Sequence, residues 1–146
     1  WLINPHATVP MVAGQLEEYR QALSRAGLGY PQAWPMMREL YVAEDRERAY
    51  LESQPYLEGK YAAYASWGQD KAMPGEESFS VPYRDLAKDR FLLGSPDDVV
   101  NEINRYGEEL GVNYMICRMQ WPGMDQRLAL RQIEIMGRAV IPRLKV

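Results

Sequence analysis

The stretch from Asn113 to Met124, NYMICRMQWPGM, limits the possible folds more than any other part of the sequence. Its apolar start and the Pro-Gly pair near its end are the pattern of a strand buried on both faces and followed by a loop. The side chains at the end of the predicted strand are polar or aromatic: Arg118, Gln120 and Trp121. Asp125 can then cap a new helix. A strand, a loop and a helix in this order predict a parallel α/β fold, in which binding sites lie at the carboxyl ends of the strands.

Composition excludes several classes of protein. The chain has 146 residues, 47% of them hydrophobic and 25% charged, which is ordinary for one globular domain. The net charge of -3 and the lack of a basic run argue against a nucleic-acid partner. No apolar run approaches the roughly 20 residues that cross a bilayer. One cysteine, Cys117, cannot form an intrachain disulfide, so a cytoplasmic protein is the simplest expectation.

Strand and helix patterns alternate along the chain. The predicted elements, in order, are a strand tail at 1–3, a helix at 8–27, a strand at about 36–43, a helix after Asp45, an insertion, a helix at 95–111, the strand described above, and a helix at 125–139. Alternation of this kind implies parallel pairing through right-handed crossovers. Pro55 predicts a kink or a break in the second helix. Arg38 and Glu39 suggest that the second strand begins exposed.

Asp45 is the expected N-cap of the second helix, and Ser95 and Asp98 are spaced to form a capping box at the start of the third. In the last helix, the residues expected to face inward are Leu130, Ile133 and Met136.

The segment from Ala65 to Leu93 interrupts this alternation. It contains Gly, Pro and scattered aromatic residues without a period. A connection of this length in a compact domain is often a lid or a binding segment, so we expect it to be mobile. Its candidate contact residues are Trp67, Phe79 and Tyr83.

Few side chains suggest chemistry directly. One His and one Cys at unrelated positions cannot form the usual metal-ligand set, so no metal site is predicted. His6 follows a strand end and is either a ligand contact or a turn residue bonded to backbone. Arg118 either binds an anionic group or holds its loop through an ion pair with Asp125. Gln120 and Trp121 are open to the same two interpretations.

Several motifs together resemble a known family. The motifs are WLINPHAT, RELYVAED, YASWG, FLLGSPDDVVNEINRY, RMQWPGM and IEIMGRAVIPRL, and they cover nearly the whole chain in family order. The chain resembles the C-terminal part of a luciferase-like flavin-dependent monooxygenase. That family is a (β/α)8 TIM barrel which binds reduced flavin at the carboxyl ends of its strands and usually has a mobile lid in the seventh unit.

The resemblance implies a place for the chain in such a barrel. Residues 1–146 would be the C-terminal portion of a single α/β barrel domain, with three parallel strands as roughly the sixth, seventh and eighth and an insertion at about 65–93. A full barrel needs about 250 residues. The sequence also starts at Trp1, inside an apolar strand, so we expect that N-terminal units are missing, with much of the flavin phosphate site and the catalytic residues.

The implied activity is oxidation of a small organic substrate by reduced FMN and O2, with the flavin supplied by a reductase. The resemblance assigns five residues to the wall of the cofactor pocket: Asn4, His6, Arg118, Gln120 and Trp121. The segment alone would be inactive, and the intact protein is expected to be a homo-oligomer. The alternatives are a deazaflavin-dependent oxidoreductase of the same fold, a non-catalytic flavin-binding partner subunit, and a chain that serves only as a structural half.

Overall fold

The computed structural model describes residues 1–75 and 77–145. The main elements are α1 (Val9–Arg25), β1 (Pro35–Val42), α2 (Arg46–Ser66), α3 (Tyr83–Ala87), β2 (Leu92–Gly94), α4 (Pro96–Leu110), β3 (Tyr114–Arg118) and α5 (Gln126–Ile135). Short helical turns lie at Asp70–Ala72, Met136–Val140 and Ile141–Arg143. Within the described residues, no helix has both the length and the apolar character needed to span a membrane.

The sheet is parallel and has the order β2-β1-β3. Ile3 adds a parallel bridge to Met36, on the edge of β1 opposite β3. The expected α/β fold with three parallel strands is confirmed, but one of the three observed strands is not among those predicted. The predicted strand at 1–3 contributes only this bridge, and the sequence pattern did not show β2, whose three residues continue the apolar end of the insertion.

Side chains alternate between the two faces of β1, and each face is covered by helices. Met36, Leu40 and Val42 pack against α1, α4 and the turn at Met136–Val140 in one core. Tyr41, on the opposite face, packs against α2, α3 and the loop after β3 in a second core. The sheet therefore lies between two helical layers.

Local signals explain most helix boundaries. Asp45 accepts a hydrogen bond from the backbone N–H of Arg48 at 2.7 Å, and Ser95 forms the predicted capping box with Asp98. The alternative of a break at Pro55 is wrong, because α2 continues through that residue. Buried side chains on both sides of Pro55 hold the helix against the sheet, and packing of this kind outweighs the loss of one hydrogen bond.

Two expectations about burial are also wrong. β3 is only partly buried, and Tyr114 is exposed, because β3 is an edge strand of the described sheet. The sequence places Leu130, Ile133 and Met136 inward; Met136 is buried, but Leu130 and Ile133 of α5 are exposed. The helix is turned so that the buried Gln132 faces β1, where its side-chain amide bonds the backbone N–H and C=O of Val42 at 2.6 and 3.0 Å.

Candidate functional site

A fully buried carboxylate, Glu39 of β1, is the centre of the candidate site. Its Oε1 lies 2.6 Å from Nζ of Lys60 in α2 and 3.4 Å from Nη1 of Arg118 in β3, and its Oε2 accepts a hydrogen bond from Nε1 of Trp121 at 2.6 Å. We call these four residues the Glu39 cluster. Glu39 and Arg118 are neighbours in the parallel register of β1 and β3, so the sheet itself brings them together.

His6 lies beside this cluster, on the turn that follows Ile3. The side-chain oxygen of Asn4 holds the turn by accepting the backbone N–H groups of His6 and Ala7 at 2.9 and 3.2 Å. The imidazole packs against Tyr61 and Tyr64, with ring centroids 5.7 and 5.0 Å away. Tyr64 connects the two groups, because its hydroxyl accepts a hydrogen bond from Nη2 of Arg118 at 3.3 Å.

Cations dominate the electrostatics around His6. Burial, followed by the positive charges of Arg118, Lys60, Arg90 and Arg38, lowers the pKa of His6 from 6.5 to about 4. The imidazole is therefore neutral at neutral pH, and it can accept or donate a hydrogen bond without carrying charge. Its Nδ1 already lies 3.4 Å from the hydroxyl of Tyr61.

Two further buried arginines support the turn that carries His6. Nε of Arg90 donates to the carbonyl of His6 at 2.7 Å, and its Nη2 contacts Glu77 at 2.8 Å. Nη1 of Arg38 donates to the carbonyl of Asn4 at 3.0 Å. Among the described residues, Nε and Nη2 of Arg38 have no hydrogen-bond partner, and burial lowers the pKa of this guanidinium.

The structure brings most of the residues predicted for the cofactor site together. Arg118 and Trp121 contact Glu39, and His6 lies beside them against Tyr64. Asn4 shapes the turn that carries His6, and Gln120 is exposed on the loop after β3. Trp121 is buried and stacks on Tyr41 with a centroid separation of 6.2 Å.

The ion pair between Arg118 and Asp125 that the sequence allowed is not formed. Nη1 of Arg118 instead lies 3.4 Å from Oε1 of Glu39, on the neighbouring strand. Oδ1 of Asp125 accepts the backbone N–H of Arg127 at 2.7 Å, and its Oδ2 lies 3.2 Å from Nη2 of the same residue.

The three aromatic residues proposed for a lid lie in different environments. Trp67 is 69% exposed at the end of α2. Phe79 and Tyr83 are buried in the second core, where the hydroxyl of Tyr83 lies 2.7 Å from Oγ of Ser53. Part of the insertion is therefore packed against α2.

The sequence pattern missed four charged residues of this region, Arg38, Glu39, Lys60 and Arg90, and the expectation that β1 begins exposed is wrong. Arg38 and Glu39 are both fully buried, because each faces a layer of helices. A charged pair inside the apolar segment PMMRELYV was the available signal. Charges in such a segment are buried only when other groups compensate them.

Other chemistry has little support in the residues that the structure describes. No group of three or more His, Cys, Asp or Glu residues among them could hold a metal ion. Cys117 is half-buried, and burial raises the pKa of its thiol to about 11. The thiol is therefore protonated at neutral pH and is a poor nucleophile.

Comparison with known proteins gives a likeness in fold. No protein-family model and no curated protein matches the sequence. The chain is similar in structure to the monooxygenase RslO1 from Streptomyces bottropensis, with a TM-score of 0.64, 19% identity, and coverage of 97% of this chain and 40% of that one. It is also similar to a type II Baeyer-Villiger monooxygenase, the oxygenating constituent of 3,6-diketocamphane monooxygenase from the CAM plasmid of Pseudomonas putida, solved in complex with FMN. That match has a TM-score of 0.59 and 17% identity and covers 92% of this chain and 40% of the other.

These values show a shared fold over nearly all of the chain. The chain spans about 40% of the length of each of the two solved structures.

Proposed function

We propose that the chain is the carboxyl-terminal part of a luciferase-like flavin-dependent monooxygenase with a (β/α)8 barrel. Ile3, β1 and β3 are adjacent and parallel in chain order, as the sixth, seventh and eighth strands of a barrel would be. β2 is then a short strand within the lid region that pairs with the carboxyl end of β1. The likeness to about 40% of the length of two monooxygenases supports the monooxygenase fold, and the order of the sequence motifs supports the carboxyl-terminal placement.

The observation that carries the proposal is the arrangement of Arg118, His6 and Glu39 at consecutive strands of this parallel sheet. Parallel α/β enzymes place their ligands at the carboxyl ends of such strands. FMN is an anion through its phosphate, and its reduced ring carries further negative charge near neutral pH. A partly exposed arginine near a neutral imidazole fits a ligand of this kind.

The residues of this chain have distinct roles in the proposal. Arg118 and His6 contact the flavin, and Gln120 lies at the rim of the pocket. Asn4 fixes the turn that carries His6, and Trp121 closes the wall behind Arg118 through its bond to Glu39. When bound, reduced FMN supplies the activation of O2 for oxidation of a small organic substrate.

The insertion is proposed as the cover of the substrate site. Trp67 is the exposed aromatic residue that would meet the substrate, while Phe79 and Tyr83 anchor the cover to α2. A cover of this kind excludes water from the reaction. A separate reductase would supply the reduced flavin, and the intact protein is proposed to be a homo-oligomer.

Anaerobic titration of the purified protein with reduced FMN and, separately, with a reduced deazaflavin tests the cofactor. We expect a saturable change in the absorbance of FMN and a weaker response to the deazaflavin. Tighter binding of the deazaflavin would favour the alternative oxidoreductase.

Admission of O2 to the FMN complex then tests turnover, measured as formation of an oxygenated product, because reduced FMN consumes O2 even without an enzyme. Flavin binding without product from candidate substrates would favour a non-catalytic partner subunit. Absence of binding to either cofactor would contradict the proposal.

A further inference from the structure

The charges around His6 do not balance. Four cationic side chains influence this residue, namely Arg38, Lys60, Arg90 and Arg118. Two close ion pairs account for part of this charge: Lys60 with Glu39 at 2.6 Å and Arg90 with Glu77 at 2.8 Å. Arg38 forms no ion pair among the described residues, and Arg118 shares a carboxylate that Lys60 already neutralises. The region therefore has an excess of positive charge.

Only one of these cations can be reached by a ligand. The side chain of Arg118 is 32% exposed, whereas those of Lys60 and Arg90 are 6% and 3% exposed and Arg38 is fully buried. The three buried cations still act on the space around Arg118, because charges in a partly dry environment are weakly screened.

Arg118 also has hydrogen-bonding capacity to spare. A guanidinium group has five N–H donors in a planar fork. In the described residues, its contacts are the hydroxyl of Tyr64 at 3.3 Å, the sulfur of Met37 at 3.9 Å, and the distant oxygen of Glu39 at 3.4 Å. None of these is a short charge-assisted bond, which normally measures about 2.7 to 2.9 Å.

The glutamate holds this arginine in position without satisfying it. Oε2 of Glu39 accepts a hydrogen bond from Trp121 at 2.6 Å. Oε1 lies 2.6 Å from Nζ of Lys60 but 3.4 Å from Nη1 of Arg118, so its closer partner is Lys60. Tyr64 supports the guanidinium from the side of His6. A planar fork fixed in this way is suited to bidentate binding of a carboxylate, sulfonate or phosphate group.

We propose that Arg118 is an oxyanion-binding residue, so that a ligand of the complete protein carries a carboxylate, sulfonate or phosphate group that binds beside His6. The inference rests on the proposed function only in assigning this group to the substrate or the flavin of that reaction. An acidic group of the substrate and the phosphate of the flavin would bind Arg118 through the same charge-assisted hydrogen bonds.

Titration of the flavin-free purified protein with inorganic sulfate tests the site, with the imidazole of His6 as the reporter. Its signal is observed by NMR after ¹³C labelling of histidine and is assigned with the His6→Gln variant. Bound sulfate neutralises the nearest cation, so it should shift the signal saturably and raise the pKa of His6. A sodium chloride series at matched ionic strength gives the effect of general screening.

Two arginine variants give the matched comparison. Arg118→Met should weaken sulfate binding by about tenfold or more, the effect of losing a charge-assisted contact. Arg127→Met removes an exposed arginine that is paired with Asp125 in the following turn, and it should leave sulfate binding unchanged. Arg118→Lys keeps the charge without the fork and should give intermediate affinity.

Equal sulfate affinity in the Arg118→Met and Arg127→Met proteins would overturn the proposal, as would a response no different from that of chloride. Competition then identifies the source of the oxyanion. Displacement of sulfate by FMN but not by riboflavin assigns the site to the cofactor phosphate, and retention of sulfate in the FMN complex assigns it to the substrate. Sulfate binding needs no flavin, so this result and the flavin titration can fail independently.

Discussion

Replacement of Glu39 by Gln should destabilise the protein far more than loss of an ordinary ion pair. The change keeps the size of the side chain but leaves Lys60, which is almost fully buried, 2.6 Å from a neutral amide. Removal of one partner from a buried ion pair costs about 3 to 5 kcal/mol, because the other charge stays desolvated. Arg118 cannot replace the lost carboxylate, because it is itself a cation and repels Lys60.

The matched control is Glu134→Gln. Glu134 pairs with Arg138 at 2.7 Å on the surface of the last helix, and both side chains are more than half exposed. A helical surface pair of this kind contributes about 0.3 to 0.5 kcal/mol. Urea unfolding at pH 7, followed by circular dichroism, gives the free energy of unfolding of each variant.

The double variant Glu39→Gln/Lys60→Met separates the ion pair from other effects of these residues. It should cost less than the sum of the two single changes, because the double variant leaves neither Glu39 nor Lys60 as an unpaired buried charge. Strict additivity, or a cost of Glu39→Gln no greater than that of Glu134→Gln, would refute the view that Glu39 is the centre of the site.

Three further predictions concern other parts of the chain. The pKa of His6 is about 4 in the folded protein, against an ordinary value of 6.5. The unfolded chain therefore binds a proton at a higher pH than the folded protein, and the free energy of unfolding should fall as pH drops from 6.5 towards 4. In urea unfolding, His6→Gln should lessen this fall, and an unchanged dependence of stability on pH would contradict the assignment. Gly94→Ala places a methyl group 2.5 Å from Cβ of Asp98 and should lower the free energy of unfolding by about 1 to 3 kcal/mol. The control Gly59→Ala lies in open space within α2 and should stabilise the protein by up to about 1 kcal/mol. Equal effects of the two changes in thermal or urea unfolding would show that the contact at Gly94 is relieved easily. Hydrogen exchange should be faster over residues 67–75 and 77–82 than in β1, and equal protection would contradict a mobile cover.

The sequence predicted those features that depend on short-range signals. The capping residues Asp45 and Ser95 mark the starts of α2 and α4, because each bonds a backbone N–H three residues away. The parallel sheet followed from the alternation of strand and helix patterns. The resemblance assigned His6 and Arg118 to one pocket wall, and in the structure both lie against Tyr64.

Features that depend on distant partners could not be predicted. Glu39 looked exposed because Lys60 and Trp121, which compensate its burial, lie 21 and 82 residues further along the chain. The predicted orientation of α5 was wrong because hydrophobic periodicity assigns apolar residues to the core. Here a polar residue, Gln132, is buried, since it bonds the backbone of Val42 in β1.

The environments of side chains in the insertion could not be predicted from the sequence either. Its aromatic residues have no period, so the sequence could not distinguish Phe79 and Tyr83, which pack in the second core, from Trp67, which is exposed. β2 was missed because three apolar residues after an aromatic segment carry no strand pattern of their own. Its pairing with residues 40–42 of β1 identifies it as part of the sheet.

Titration of the purified protein with reduced FMN under anaerobic conditions, observed both by flavin absorbance and by the NMR signal of His6, tests the central claim most directly. If the Glu39 cluster and His6 form the flavin site, the two signals should saturate at the same FMN concentration, and Arg118→Met should shift both curves to higher concentration together. Saturation of the flavin absorbance with no change at His6 would place the flavin elsewhere in the protein. Absence of any saturable flavin signal would contradict the assignment of a flavin-dependent monooxygenase.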